Sequence, residues 1–270
     1  MVLLSACVSR DVRVARRAMA RGDFDSATEG YRRAAEAEPD EPSRWLDLAR
    51  AELMADRPAE ARSAFARLAS LRPLDPHPIV EMGFTHELER NYERALESYM
   101  RAVEIAPTSA YPHRVLGTRL LRWGQHAEAL EPLGEAFARE PSHAETAKAL
   151  ALAHHAAGDS DAAVRTYRAG LAASPGDLGL RLGLAAMLIN VGAFVEALEV
   201  YEDLCGDIPG FAAAHAGRGI LLHELGRMEE AEAAFLRAAE VAPQPEEYEA
   251  RLHAYRQLRA EAERESAASR

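Results

Sequence analysis

Ten histidines, one lysine and two cysteines are the side chains of this 270-residue chain best suited to ligating a metal or attacking a substrate. A helix-borne metal site needs two ligands three or four residues apart, so that both reach one ion from the same face. No two histidines here have that spacing, and there is no H-E-x-x-H. His154 and His155 are adjacent, so they leave different faces of a helix, and by its position His154 is a packing residue. The one lysine, Lys148, follows no G-x-x-x-x-G-K-S/T loop that would cradle phosphate, and no G-x-S-x-G elbow presents a nucleophile. Cys7 and Cys205 make no disulfide framework, and Cys205 at a helix end reads as a small, half-buried apolar residue. These patterns predict a non-enzymatic protein with no metal and no cofactor.

The formal net charge of −11 argues against nucleic acid as the main partner. Charge is also uneven along the chain. Residues 8–33 carry seven arginines against four acidic residues, whereas residues 223–250 carry two arginines against eight glutamates. Two readings stand: solvated helix faces, or ends that attract different partners. No run of eighteen apolar residues is present to span a membrane.

The elements that would position these side chains follow one period. Proline returns every 34 residues at Pro39, Pro73, Pro107, Pro141, Pro175, Pro209 and Pro243. Twelve residues before each lies an alanine, from Ala27 and Ala61 to Ala197 and Ala231. Eight before each lies a large apolar residue: Tyr31, Phe65, Tyr99, Leu133, Tyr167, Tyr201 and Phe235. A fixed period of this length marks stacked supersecondary units, and 34 is the period of a helix–turn–helix repeat. With the proline as position 32, units begin at residues 8, 42, 76, 110, 144, 178 and 212. Small residues at position 8 (Ala15, Ala49, Gly83, Gly117, Ala151, Ala185, Gly219) and at position 20 let the two helices of a unit approach closely. The bulky residue at position 24 and apolar residues at 7 and 11 fill the remaining space. Glycine at position 15 takes the left-handed conformation that ends the first helix, and the proline ends the second.

On these columns the chain resembles the tetratricopeptide repeat family over about residues 8–245. The resemblance implies an all-α, right-handed superhelical solenoid of seven 34-residue repeats, closed by a capping helix over 246–264 and a frayed tail at 265–270. In the cap, Tyr248, Leu252, Tyr255 and Leu258 form the packing stripe. Unit one is arginine-rich, with Val14 and Ala18 expected inward. Unit two carries the family's tryptophan, Trp45, and has Asp56 in place of the turn glycine. Pro132 and Gly134 in unit four predict a kink or loosened turn. Arg218, between Gly217 and Gly219, occupies a position that is otherwise apolar.

The resemblance also implies a concave groove lined by first helices at positions 2, 5, 6, 9, 12 and 13. The candidate residues are Leu46, Arg50 and Leu53, then Val80, Phe84 and Leu88, then Tyr111, Arg114, Leu121 and Arg122. Further along come Lys148, Leu152 and His155, then Leu182, Ile189 and Asn190, then Ile220, His223 and Glu224. An apolar floor with a few cations suits an extended or helical peptide carrying hydrophobic side chains and an acidic group. Stacking between units needs the same residue types, so both readings stand. Some family members clamp a C-terminal carboxylate with Lys and Asn at set positions. No three consecutive units here match, which disfavours a chaperone-tail adaptor.

Leu4-Ser5-Ala6-Cys7 resembles a bacterial lipobox, which implies acylation of Cys7. A secretory signal also has a basic region and about 7–15 apolar residues. Only Met1 to Leu4 stand in front here, so either the start lies upstream or the match is accidental. With Val8 after the cysteine, the lipobox implies the periplasmic face of an outer membrane, with lipid as the only membrane contact. Without it the expectation is a cytoplasmic adaptor. In either case the expected partners are other proteins.

Overall fold

Fifteen helices follow one another, and no strand occurs among the described residues. The computed structural model describes the backbone of residues 2–268 and the side chains of residues 8, 10–261 and 264. The Cys7 side chain, and those of the expected tail at 265–270, lie outside them. The chain divides into two compact units, residues 1–140 and 141–270.

The first unit holds four helical hairpins. They are α1 (Val2–Ala20) with α2 (Phe24–Ala37), α3 (Pro42–Met54) with α4 (Pro58–Leu71), α5 (His77–Leu88) with α6 (Tyr92–Ile105), and α7 (Ala110–Arg122) with α8 (His126–Arg139). The second holds α9 (Ala144–Ala156) with α10 (Ser160–Ala173), α11 (Leu178–Asn190) with α12 (Phe194–Asp207), α13 (Ala212–Glu224) with α14 (Met228–Val241), and then α15 (Glu246–Ala268). The expected end of the last helix at 264 is thus passed by one turn.

Close approach within each hairpin comes from the alanine columns. Ala15, Ala49, Ala151 and Ala185 on first helices, and every alanine of the position-20 column, are completely buried. Glycines take over where an aromatic ring must fit. A Cβ on Gly83 would stand 2.6 Å from the Tyr99 ring, and one on Gly217 would stand 2.5 Å from Tyr201. Gly219 faces Phe235 at 3.1 Å in the same way, so the glycines flanking Arg218 are seats for two rings. Arg218 itself lies 3.4 Å from Glu202 on α12, which reconciles a charge with that position.

Each hairpin turn closes with the same bond, from the amide after the left-handed residue to the carbonyl five back, as in Asp23 to Ala18 (3.0 Å) and Arg227 to Leu222 (2.8 Å). Gly22, Gly124, Gly158, Gly192 and Gly226 hold the left-handed position, and Asp56 (φ 56°) and Arg90 (φ 59°) hold it in the other two turns. At the far end of each second helix, the residue before the proline is driven out of the helical region, as at Glu38 (φ −127°, ψ 67°).

Successive hairpins are tied by a recurrent polar contact at position 4. Trp45 Nε1 donates to the Pro39 carbonyl at 2.8 Å. Ring nitrogens of His113 and His215 stand 3.0 Å from the carbonyls of Pro107 and Pro209. Two of the ten histidines are therefore occupied in holding one hairpin to the preceding one. Glu52 on α3 is 1% exposed and accepts from Arg32 of α2 at 2.5 Å, a second tie of this kind. Leaving that carboxylate unpaired would cost several kcal/mol, on the order of 3–5 for a buried pair.

Two expectations need correction. Val14 is 47% exposed; Val8, Val12, Ala15 and Ala18 form the buried stripe of α1 instead. α8, for its part, runs as a single helix through Pro132, with the proline ring buried beside fully buried Leu133. Leu258 does not pack: it is 65% exposed, whereas Leu252 and Tyr255 are buried. The helix is held instead by Tyr255, which sits on the Phe235 ring at 5.0 Å and donates to the Met228 carbonyl at 3.0 Å. Arg256 and Arg259 also clamp Glu232 at 2.7 and 3.1 Å.

A left-handed conformation costs a non-glycine residue roughly 1 kcal/mol. Arg90→Gly is therefore expected to stabilise the fold by about 0.5–1 kcal/mol, less the added entropy of the unfolded glycine. Urea denaturation checks this, and a lower midpoint would show that the Arg90 side chain contributes more than its backbone costs.

Candidate peptide-binding surface

In the first unit the candidate residues gather where α3, α5 and α7 present their free faces. A cleft of about 400 Å³ opens between α3 and α5 over α4. Its floor is Leu46, Leu53, Phe65, Leu68 and Pro78, and its rim is Arg50, Arg72, Asp75, His77 and Glu81. Leu46 and Leu53 also pack against the core of the first two hairpins, so they are half-buried walls and not free side chains. Val80 leaves the set altogether. It is 6% exposed and packs with Ile79, Ala95, Tyr99 and Ala102, because position 5 of α5 turns toward α6.

The aromatic members are held by stacking and by cations. Tyr111 stacks on His77 with ring centroids 4.3 Å apart, and His77 Nδ1 lies 2.8 Å from Asp75. The Arg114 guanidinium sits 5.9 Å above the Tyr111 ring and pairs with Glu140 at 3.1 Å. Arg119 covers the Phe84 ring at 5.7 Å and pairs with Glu87 at 3.2 Å. Burial pushes the Glu81 carboxyl above its usual range, against the opposing pull of Arg50, His77 and Arg119. Burial likewise raises the Tyr111 phenol, helped by Glu81. Arg50, at the mouth of the cleft, is exposed and has no carboxylate at ion-pair distance among the described residues. Leu88 is half-exposed at the end of α5. Leu121 and Arg122 end α7, and Arg122 borders an open hollow with Tyr92 and Trp123, whose rings meet edge to face at 5.5 Å.

In the second unit, Leu152 and Ile220 are each 46% exposed, while Leu182 and Ile189 are half-buried. Lys148 pairs with Glu145. His155 Nδ1 stands 2.9 Å from Ser160 Oγ, which donates to Asn190 at 3.3 Å, so these two candidates are joined by a serine. His223 lies edge-on to the Tyr255 ring of α15 at 5.5 Å, and its neighbour Glu224 is exposed.

His77, Glu81 and Arg119 escaped the candidate set. His77 and Glu81 occupy positions 2 and 6 of the third repeat, so reading that repeat at every groove position would have found both. Arg119 sits at position 10 and reaches the surface because an arginine can extend past its own packing position.

Tetratricopeptide repeat models match residues 18–78 and 188–254, 114–177 and 150–210, and 79–109. The chain belongs to the tetratricopeptide repeat family. Among solved structures, the C-terminal part of a TPR repeat-containing protein from Cytophaga hutchinsonii is similar at 14% identity and a TM-score of 0.65, over 87% of this chain and 97% of that one. MamA from Desulfovibrio magneticus RS-1 is 19% identical with a TM-score of 0.51, over 61% of this chain and 93% of its own. The structure of Naa15/Naa10 bound to HypK-THB matches at 16% identity and a TM-score of 0.52, over 93% of this chain and 39% of that one. At these identities the likeness is one of fold.

The raised pKa of Glu81 has a signed consequence. The folded state holds this proton more readily than the unfolded chain does. The stability Glu81 contributes is therefore complete below the usual carboxylate range and is lost as pH rises through its elevated pKa. Glu81→Gln is expected to raise the melting temperature at neutral pH and to change it little at acid pH. A variant that melts lower at neutral pH would mean that Arg50 and Arg119 outweigh the burial.

Proposed function

We propose that this chain is a non-enzymatic scaffold that holds peptide segments of other proteins on the free faces of its first helices. The cleft between α3 and α5 carries the reading: an apolar floor deep enough for one side chain, with the unpaired Arg50 guanidinium at its mouth. Its complement is a peptide with a large apolar anchor and an acidic residue beside it. The stacked Tyr111–His77 pair and the exposed Leu88 extend the same surface along the unit. A similar fold in the Naa15/Naa10 structure stands in a complex with HypK-THB, in keeping with a protein-binding role.

The test is selection from a random peptide display library on the immobilised chain, repeated on Arg50→Glu. Peptides that share an apolar anchor next to Asp or Glu are expected, with about tenfold weaker binding to the variant, the scale of a lost charged hydrogen bond. Equal binding to both proteins would remove the cleft from the reading.

The narrower proposal is a lipid-anchored factor at the periplasmic face of an outer membrane, in the manner of repeat lipoproteins that assist assembly of secretins or pili. It rests on Leu4-Ser5-Ala6-Cys7 and on analogy of architecture. The alternative is a cytosolic adaptor subunit of a multiprotein complex. Intact mass of the native protein separates them. A chain beginning at Cys7 with added lipid mass supports the anchor, and an unmodified chain beginning at Met1 in the soluble fraction supports the adaptor.

A further inference from the structure

We infer that the outer face of α1 is a docking surface for an anionic lipid headgroup layer. The helix buries Val8, Val12, Ala15 and Ala18 against α2. On the opposite side Arg10, Arg13, Arg17 and Arg21 are all exposed. At 3.6 residues per turn Arg10, Arg13 and Arg17 fall within an arc of about 60°, in a stripe about 10 Å long, and Arg21 follows in the turn just after the helix. None of them has a carboxylate within ion-pair distance among the described residues. Many arginines elsewhere are paired, for instance Arg57 with Asp25, Arg62 with Glu89 and Arg181 with Asp207. Three such guanidiniums on one helix face, with a fourth in the turn that follows, are a site for phosphate.

Two observations favour a membrane as the source of that phosphate. The arc carries charge but no large apolar pocket, since Val14 stands at its edge, so it offers no means of reading the side chains of an acidic protein. The chain as a whole carries −11, and an anionic surface repels its other parts, so only this end can approach one. Juxtamembrane basic residues bind anionic lipid in this way, each adding to the attraction. The inference stands without acylation of Cys7, although a basic stripe is the kind of second signal that makes a single lipid anchor hold.

The experiment uses the full chain with Cys7→Ser, so that no lipid is attached. Sedimentation is measured with vesicles of phosphatidylglycerol in phosphatidylcholine and with vesicles of phosphatidylcholine alone. Binding to the anionic vesicles, weakened by salt and at least about tenfold stronger than to the neutral ones, is expected. Arg13→Glu with Arg17→Glu should abolish it. Arg94→Glu with Arg101→Glu makes the same change of net charge on exposed α6 positions and should leave it intact. Three results would overturn the inference: equal binding to both vesicle types, loss of binding in both double variants, or retention of duplex DNA or polyglutamate with no binding to vesicles. Circular dichroism of each variant guards against misfolding, and because the chain is unacylated, the outcome is independent of whether native Cys7 carries lipid.

Discussion

Everything in this molecule depends on two helices meeting at alanine. Where the position-8 and position-20 alanines face one another, neither side chain extends past its Cβ, and the backbones approach until no solvent reaches either residue. That closeness leaves one large residue per hairpin, at position 24, to fill the space beyond, and its size decides what must give way. Tyr99 and Phe235 take the room left by a glycine at position 8 of their own hairpin, whereas Tyr167 and Tyr201 take it from a glycine on the next first helix. An alanine at Gly183 or Gly217 would put a methyl within 2.4–2.5 Å of a ring, far inside contact distance. The two columns are therefore one constraint expressed as two residue types.

Polar groups do a second job, adding ties between hairpins that also share apolar core. Each second helix ends in a proline whose carbonyl has no helical partner, and a ring N–H from the next first helix is one way to satisfy it. Trp45, His113 and His215 are chemically different side chains that reach the same acceptor. Two of the ten histidines are thus structural donors. This leaves the free faces of the first helices for residues that the fold does not consume, such as Arg50, Leu88, Leu152 and Ile220.

The cleft between α3 and α5 shows how a surface arises from these rules. Its floor is the wall of the core, so Leu46 and Leu53 both pack and line the cleft. Its rim is electrostatically mixed, and burial of Glu81 raises its carboxyl pKa against the pull of Arg50, His77 and Arg119. The outer face of α1 is its opposite, all charge and no floor, and so suits a surface more than a sequence.

Much of the fold was legible in the residues alone. The 34-residue period, the alanine columns and the left-handed turn position are local demands, each met by a residue type that little else can replace, so they survive in sequence as phase. Asp56 and Arg90 show the limit, since the turn geometry persists where its glycine is absent. Whether a first-helix apolar residue faces a neighbour or solvent was not legible, because stacking and binding draw on the same side chains. Val80 proved buried and Val14 exposed against expectation, and Leu258 failed to pack where Tyr255 did. Those outcomes depend on which helix lies alongside and how far a long side chain reaches, quantities that only tertiary contacts decide. The field of Arg50 and Arg119 on Glu81, from three different helices, is of the same kind: local pattern sets the elements, and the space between them sets the site.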